Sequence, residues 1–201
     1  RSAESLCTRF DSITGCIKSW NYRKSWDGQS EWFYPVIIDN MMNLELLMFA
    51  YKETGNQRFR DIAVKHSETT MKNQFRPDYS TYHVVNYDTI TGAALHQATM
   101  QGYTDASTWA RGQSWAVYGY TMMYRETKDP RFLETAVKAA DFYLNNPNLP
   151  GDLVPYWDFN ILDPGLKPDW DASVHPTLQL RDASAAAIMA SALFELSGYS
   201  D

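Results

Sequence analysis

The chain has 201 residues, of which 44% are hydrophobic and 21% charged, and its formal net charge is −6. These values are typical of one globular domain with a sizeable core. The negative charge argues against a nucleic-acid partner, because binding to phosphates needs a basic surface. No apolar run approaches the length of a membrane span. The two cysteines, Cys7 and Cys16, fit neither a metal-ligand spacing nor a disulfide framework, which leaves two small buried side chains.

An internal repeat follows a short helix predicted near residues 3–10. Residues 51–65 (YKETGNQRFRDIAVK) and 124–138 (YRETKDPRFLETAVK) are identical at eight of fifteen positions. Each copy indicates the end of one helix, a turn and the start of another, because Gly55-Asn56 and Asp129-Pro130 are turn residues. A fainter third copy, residues 182–198, aligns with residues 39–55.

The two helices of each copy differ in character. The helices before the turns, predicted over 37–51, 115–124 and 183–196, are apolar nearly all round and should therefore be buried. Those after the turns are amphipathic. A buried helix, a turn and a surface helix, repeated, predict an all-α toroid of helical hairpins. Long inserts at 77–104 and 145–180 argue against the alternative, a linear solenoid.

The first insert carries the one clear strand pattern. Residues 82–87 (YHVVNY), followed by Thr91-Gly92 as a turn, predict a small β-hairpin near 82–96. The hairpin repeat itself is incomplete, because such a toroid closes with six hairpins and this chain supplies about two and a half. We therefore expect residues 1–201 to be part of a single α/α-barrel domain whose N- and C-terminal portions are missing. Alone, such a chain should expose apolar flanks, associate and be inactive.

The repeat also predicts where polar groups converge. Asp39, Arg111 and Asp182 fall at the starts of three consecutive inner helices, so all three should lie at one end of the toroid. Asp39 has two interpretations: a helix cap, or an acid/base group whose pKa is raised by its apolar neighbours. Arg111, between Trp109 and Trp115, could hold a carboxylate while the rings cover a sugar, or it could be a surface arginine.

Six segments, in the same order, resemble the unsaturated glucuronyl hydrolases, glycoside hydrolase family 88. They are GCIKSW (15–20), VIIDNMMNLELL (36–47), DYSTYHVV (78–85), QGYTDASTWARGQSWAVYGY (101–120), DLVPYWDF (152–159) and RDASAAA (181–187). The resemblance implies an (α/α)6 barrel. It also implies a hydrolase that releases unsaturated uronic acid from the non-reducing end of lyase-generated oligosaccharides of the glycosaminoglycan type, by hydrating the C4=C5 double bond without a metal or organic cofactor.

The resemblance also assigns roles to individual residues. Asp39 in IIDN would be the catalytic acid/base. The residues that would bind the substrate are His83, Gln101, Trp109, Arg111 and Trp115. The chain departs from the family pattern at Met100, where the family often has His, and in the longer connection at 165–180.

Two alternatives remain open from the sequence. One is a related hydrolase acting on unsaturated rhamnogalacturonan disaccharides, and the other is a non-catalytic carbohydrate-binding fragment. The sequence leaves the oligomeric state undetermined. It also leaves open whether the protein works in the periplasm or the cytoplasm of a bacterium.

Overall fold

The computed structural model describes residues 1–25, 28–167 and 179–199. The helices in these ranges are α1 (Ser2–Cys7), α2 (Asn40–Thr54), α3 (Gln57–Asn73), α4 (Ala110–Thr127), α5 (Pro130–Leu144) and α6 (Ala183–Leu196). The strands are β1 (Phe10–Asp11), β2 (Cys16–Ile17), β3 (Arg23–Lys24), β4 (Glu31–Trp32), β5 (Pro35–Ile37), β6 (Val84–Tyr87) and β7 (Ala94–Ala98). No described helix combines the length and the apolar character that crossing a membrane requires.

The helices form two layers, as the repeat predicts. In the inner layer, α4 lies between α2 and α6 and packs against both, while α3 and α5 complete hairpins with α2 and α4. The two hairpin turns are built alike. The inner helices end on a left-handed residue, Gly55 or Lys128, and the outer helices begin at a side-chain cap, Asn56 or Asp129. The predicted fold of helical hairpins is therefore confirmed for the described residues.

The core lies between the two layers and is filled by aliphatic, methionine and aromatic side chains. It includes Met41, Leu44, Leu47 and Met48 of α2, Val117, Tyr120 and Met122 of α4, and Phe132, Ala136 and Ala139 of α5. Two large apolar side chains of the inner helices are exposed. Phe49 of α2 is 60% exposed and Phe194 of α6 is 85% exposed.

The β-structure is more extensive than the sequence predicts. The hairpin expected near 82–96 is confirmed as β6 and β7, but β5 joins it to make a three-stranded sheet in the order β5-β6-β7. The helix predicted from residue 37 is therefore wrong at its start: Pro35–Ile37 is a strand and the helix begins at Asn40. Similarly, α1 ends at Cys7 rather than residue 10, because Phe10–Asp11 pairs with β2.

The inner helices α2 and α4 meet at a glycine. A Cβ atom on Gly119 would lie 2.4 Å from the Cβ of Met41 and 3.3 Å from its Cα. This approach is close enough that neither helix can accept a methyl group without moving. The interface that carries Asp39 and Arg111 on adjacent helices therefore depends on the absence of a side chain at position 119.

We expect Gly119→Ala to lower the free energy of unfolding by about 1–2 kcal/mol. Overpacking costs about 1–3 kcal/mol, and the better helix propensity of alanine offsets up to about 1 kcal/mol. Urea denaturation measures the change. The matched control is Gly151→Ala, because no atom lies within 4 Å of a Cβ there. Equal stabilities of the two variants would contradict the close approach.

Candidate active site

Asp39 lies where β5 ends and α2 begins. Its neighbours on both sides are anchored: the backbone N–H of Ile38 donates to the carbonyl of His83 at 3.0 Å, and the Asn40 side chain donates to the carbonyl of Ile17 at 2.7 Å. Both neighbours are buried. The backbone at Asp39 therefore has little freedom, and its side chain is aimed by the strand-to-helix junction rather than by contacts of its own.

The Asp39 side chain does not cap the helix, so the cap interpretation is wrong for the side chain. It accepts no capping hydrogen bond, and only 15% of it is exposed. Its Oδ2 atom is buried and has no hydrogen-bond partner among the described residues. Burial raises the pKa of Asp39 to about 6, although a hydrogen bond with its own backbone and the positive charge of Arg111 act in the opposite direction.

His83 faces Asp39 from the sheet. Its Nδ1 atom accepts hydrogen bonds from the backbone N–H groups of Met100 (3.0 Å) and Gln101 (3.2 Å), so the proton of the neutral ring is on Nε2. That Nε2 lies 3.8 Å from Asp39 Oδ2. Burial lowers the pKa of His83 to about 3, so the ring is neutral at physiological pH and the contact is not an ion pair. An N–H donor thus faces an unpaired carboxylate oxygen just beyond hydrogen-bond distance.

Aromatic rings enclose His83. The centroid of Trp109 lies 4.5 Å from that of the His83 ring, and Trp20 approaches the imidazole edge-on at 6.5 Å. The Arg111 guanidinium lies over Trp109, 5.3 Å from the ring centroid. No role is predicted for Trp20 from the sequence, although this residue closes the segment GCIKSW. These rings contribute to the burial of His83, and this burial lowers its pKa.

Arg111 is ion-paired within the chain. Its Nε and Nη2 atoms donate to Oδ2 of Asp182 at 3.1 and 2.9 Å. The predicted convergence of Asp39, Arg111 and Asp182 at one end of the inner helices is thereby observed: Arg111 pairs with Asp182, and its positive charge acts on Asp39. Its side chain remains 38% exposed, whereas that of Asp182 is 3% exposed. Arg111 can therefore still meet a ligand from the solvent side.

The other two residues predicted to bind the substrate are Gln101 and Trp115. Gln101 reaches His83 through its backbone N–H, and the residue itself is exposed. Trp115 lies one turn further along α4 than Arg111, packs edge-on against Tyr118 at 5.7 Å, and borders an open groove with Met42, Leu46 and Phe49. The structure thus brings together Asp39, His83, Trp109, Arg111 and the backbone of Gln101, and it places Trp115 at the edge of this group.

The loop that carries Met100 and Gln101 is held by a buried carboxylate. Asp158 accepts hydrogen bonds from the Tyr103 backbone N–H (2.9 Å) and the Ser107 hydroxyl (2.7 Å). No role for Asp158 is predicted from the sequence. Met100 stands where the family often has His. It contacts His83 through its backbone N–H, so this contact does not depend on the side chain at position 100. Most of the long connection at 165–180 lies outside the described residues, which lack 168–178.

The chemistry available here is proton transfer. A carboxyl group with a pKa of about 6 is partly protonated near neutral pH, so it can give a proton and then accept one.

Within residues 1–25, 28–167 and 179–199, no group of three or more His, Cys, Asp or Glu side chains is arranged to hold a metal ion.

Comparison with known proteins identifies a family. The family model of Glycosyl Hydrolase Family 88 matches residues 8–195. An unsaturated glucuronyl hydrolase of Formosa agariphila is 52% identical over 200 residues, which are 100% of this chain and 46% of that protein. An unsaturated chondroitin disaccharide hydrolase of Streptococcus pneumoniae is 37% identical, over 98% of this chain and 45% of its own length.

A solved structure agrees with these relatives. The crystal structure of an unsaturated glucuronyl hydrolase specific for heparin superposes with a TM-score of 0.85 at 46% sequence identity, covering 99% of this chain and 48% of that one. The observed arrangement of helical hairpins is thus the helical fold of these enzymes. The chain spans about half the length of the curated relatives it matches.

The raised pKa of Asp39 predicts a stability that depends on pH. Below about pH 4 the folded and unfolded states both hold the proton. Between about pH 4 and 6 the unfolded state loses its proton first, so the free energy of unfolding falls as the pH rises. Asp39→Asn removes this effect, and we expect it to raise the free energy of unfolding by about 2 kcal/mol at pH 8 and not at pH 4.

Denaturant unfolding at pH 4 and pH 8 measures this difference. The control is Asp88→Asn, because the backbone N–H of Ile90 lowers the pKa of the exposed Asp88 and the expected sign is therefore reversed. If Asp39→Asn had the same effect at both pH values, the carboxyl group would not be held in its protonated form by burial.

Proposed function

Because the chain belongs to glycosyl hydrolase family 88, we propose that the protein containing it hydrolyses oligosaccharides that begin with a C4=C5 unsaturated uronic acid. The observation that carries the proposal is the buried Oδ2 atom of Asp39, which has no hydrogen-bond partner among the described residues and faces the neutral His83. The names of the relatives, unsaturated glucuronyl hydrolase and unsaturated chondroitin disaccharide hydrolase, support the glycosaminoglycan class of substrate. No observation favours a rhamnogalacturonan substrate.

Asp39 is the proposed acid and base of the hydration. In its protonated form it gives its proton to C4 of the double bond, and as a carboxylate it accepts a proton from the water that attacks C5. One hydrogen and one hydroxyl group are thus added across C4=C5. The hemiketal that results rearranges, the sugar ring opens and the glycosidic bond is lost. The proton balance at Asp39 closes, because the proton given to C4 is replaced by the proton taken from water.

His83 is proposed to bind the substrate as a neutral hydrogen-bond donor. Its Nδ1 atom is occupied by two backbone N–H groups, so only Nε2–H can point into the site. Because burial lowers the pKa of His83, the ring does not take up a second proton and does not act as a competing base. His83 therefore orients the substrate, or the Asp39 carboxylate after proton transfer, and leaves the acid/base role to Asp39.

The anionic part of the substrate has a matching partner, because the exposed side of Arg111 offers a positive charge for the uronate. Trp109 is buried between Arg111 and His83, so it is proposed to shape the site by supporting these two side chains. Gln101 and Trp115, at the rim, are proposed to contact the parts of the substrate that extend outward. The scheme needs no metal or organic cofactor.

We further propose that the chain forms part of one (α/α)6-barrel domain. The exposed Phe194 on α6, the last helix of the inner row, supports this, as does the coverage of about half of each relative. The proposed activity is therefore that of the complete enzyme, and the 201-residue chain alone is expected to be inactive.

Asp39→Asn in the complete enzyme should lower kcat by about 100–10,000-fold, because an amide neither gives nor takes the required proton. The loss of ultraviolet absorbance of the C4=C5 bond of an unsaturated chondroitin disaccharide measures turnover. Asp129→Asn, which alters a cap on the outer helix α5, is the matched control and should retain full activity. Retention of more than a tenth of wild-type turnover by Asp39→Asn would rule out Asp39 as the acid/base.

A further inference from the structure

Arg111 is paired with the carboxylate of Asp182, which has no part in the proposed proton transfer. We propose that Asp182 is a positioning residue, which fixes the Arg111 guanidinium over Trp109 so that it meets the anionic group of the substrate. The inference rests on the proposed function, and it assigns a task to a residue that makes no contact with Asp39 in the described structure.

Asp182 is itself held rigidly, and this makes it a suitable anchor. Its Oδ1 atom caps α6 by accepting a hydrogen bond from the backbone N–H of Ala185 at 2.8 Å. The cap fixes the plane of the carboxylate, and the plane fixes the direction of Oδ2. Oδ2 then accepts both Nε and Nη2 of Arg111. The orientation of α6 is thereby transferred to the guanidinium of the neighbouring inner helix.

The contact leaves part of the guanidinium available. Nε and Nη2 share one oxygen of Asp182, and Nη1 donates to no group in the described part of the chain. Trp109 covers one face of the group and solvent reaches the rest of the side chain, which is 38% exposed. An arginine side chain is otherwise flexible, so holding it in one geometry before the ligand arrives lowers the entropy lost on binding.

Asp129, in the outer layer, provides a matched comparison for Asp182. Asp129 also caps a helix, α5, through the backbone N–H of Arg131, and it also pairs with an arginine side chain, that of Arg131. This second cap-and-arginine pair lies in the turn between α4 and α5, and Arg131 is exposed. Substitution of Asp129 therefore measures the general effect of losing such a pair. Any further effect of substituting Asp182 is an effect on the site.

Kinetics of the complete enzyme with an unsaturated chondroitin disaccharide test the proposal. Asp182→Asn keeps an oxygen for the cap but turns the other atom into a donor that cannot accept from Arg111. We expect KM to rise by about 10-fold or more, in line with the loss of a charge-assisted contact, while kcat changes less than KM. Asp182→Ser, which also retains a capping oxygen, should behave alike, and Asp129→Asn should leave KM unchanged.

A double-mutant cycle distinguishes positioning from mere capping. In an Arg111→Ala background, Asp182→Asn should raise KM no further, because there is no guanidinium left to position. An equal fold-change of KM with and without Arg111 would overturn the proposal and leave Asp182 as a helix cap only.

A second readout does not depend on turnover. Hydrogen exchange of the Arg111 Nε–H, followed by NMR, should be at least about 10-fold faster in Asp182→Asn than in the wild type, because the protecting acceptor is lost. Unchanged exchange would overturn the positioning role. Absence of turnover in the wild-type enzyme would instead contradict the proposed function, and the exchange measurement would still decide the role of Asp182.

Discussion

The structure of the site depends on one unfavourable feature, a carboxylate oxygen that is buried without a hydrogen-bond partner. Ionising such a group costs free energy, and the cost appears as the pKa of Asp39 near 6. The surroundings maintain this condition: Ile38 and Asn40 fix the backbone, and His83 is kept neutral by its two backbone donors and its burial. The same burial that lowers stability at this point brings the pKa of Asp39 close to neutral pH.

The packing of the inner helices and of the sheet brings the residues of the site together. Three inner helices lie side by side, so Asp39, Arg111 and Asp182, at or next to their starts, come to one end of the layer. The strand before α2 pairs with the strand after His83, which places the imidazole beside Asp39 although the two residues are 44 positions apart in sequence. Close packing of α2 on α4 at Gly119 keeps the two helix starts adjacent.

Much of the fold and of the site could be predicted from the sequence, and each wrong or missing prediction has a physical cause. The repeat around residues 51–65 and 124–138 predicts the hairpins because each copy contains its own turn and cap. The helix predicted over 37–51 includes Ile37, the last residue of β5, because a short, continuous apolar run carries no periodicity that separates a buried strand from a buried helix. The Arg111–Asp182 pair, and the contact of Trp20 with His83, depend on side-chain directions between distant segments. A repeat can place such residues at one end of a layer but cannot fix their rotamers. The buried Asp158 was missed for the same reason, since its partners lie about 50 residues away.

The most direct test of the central claim is an NMR titration of the Asp39 carboxyl carbon together with the ring nitrogens of His83. A buried, unpaired Asp39 beside a neutral His83 predicts that the carboxyl carbon titrates near pH 6. It also predicts that His83 stays neutral from pH 5 to 8, roughly the range in which an unperturbed histidine titrates, with its proton on Nε2. An Asp39 that titrates near pH 4, or a His83 that becomes protonated near pH 6, would contradict it.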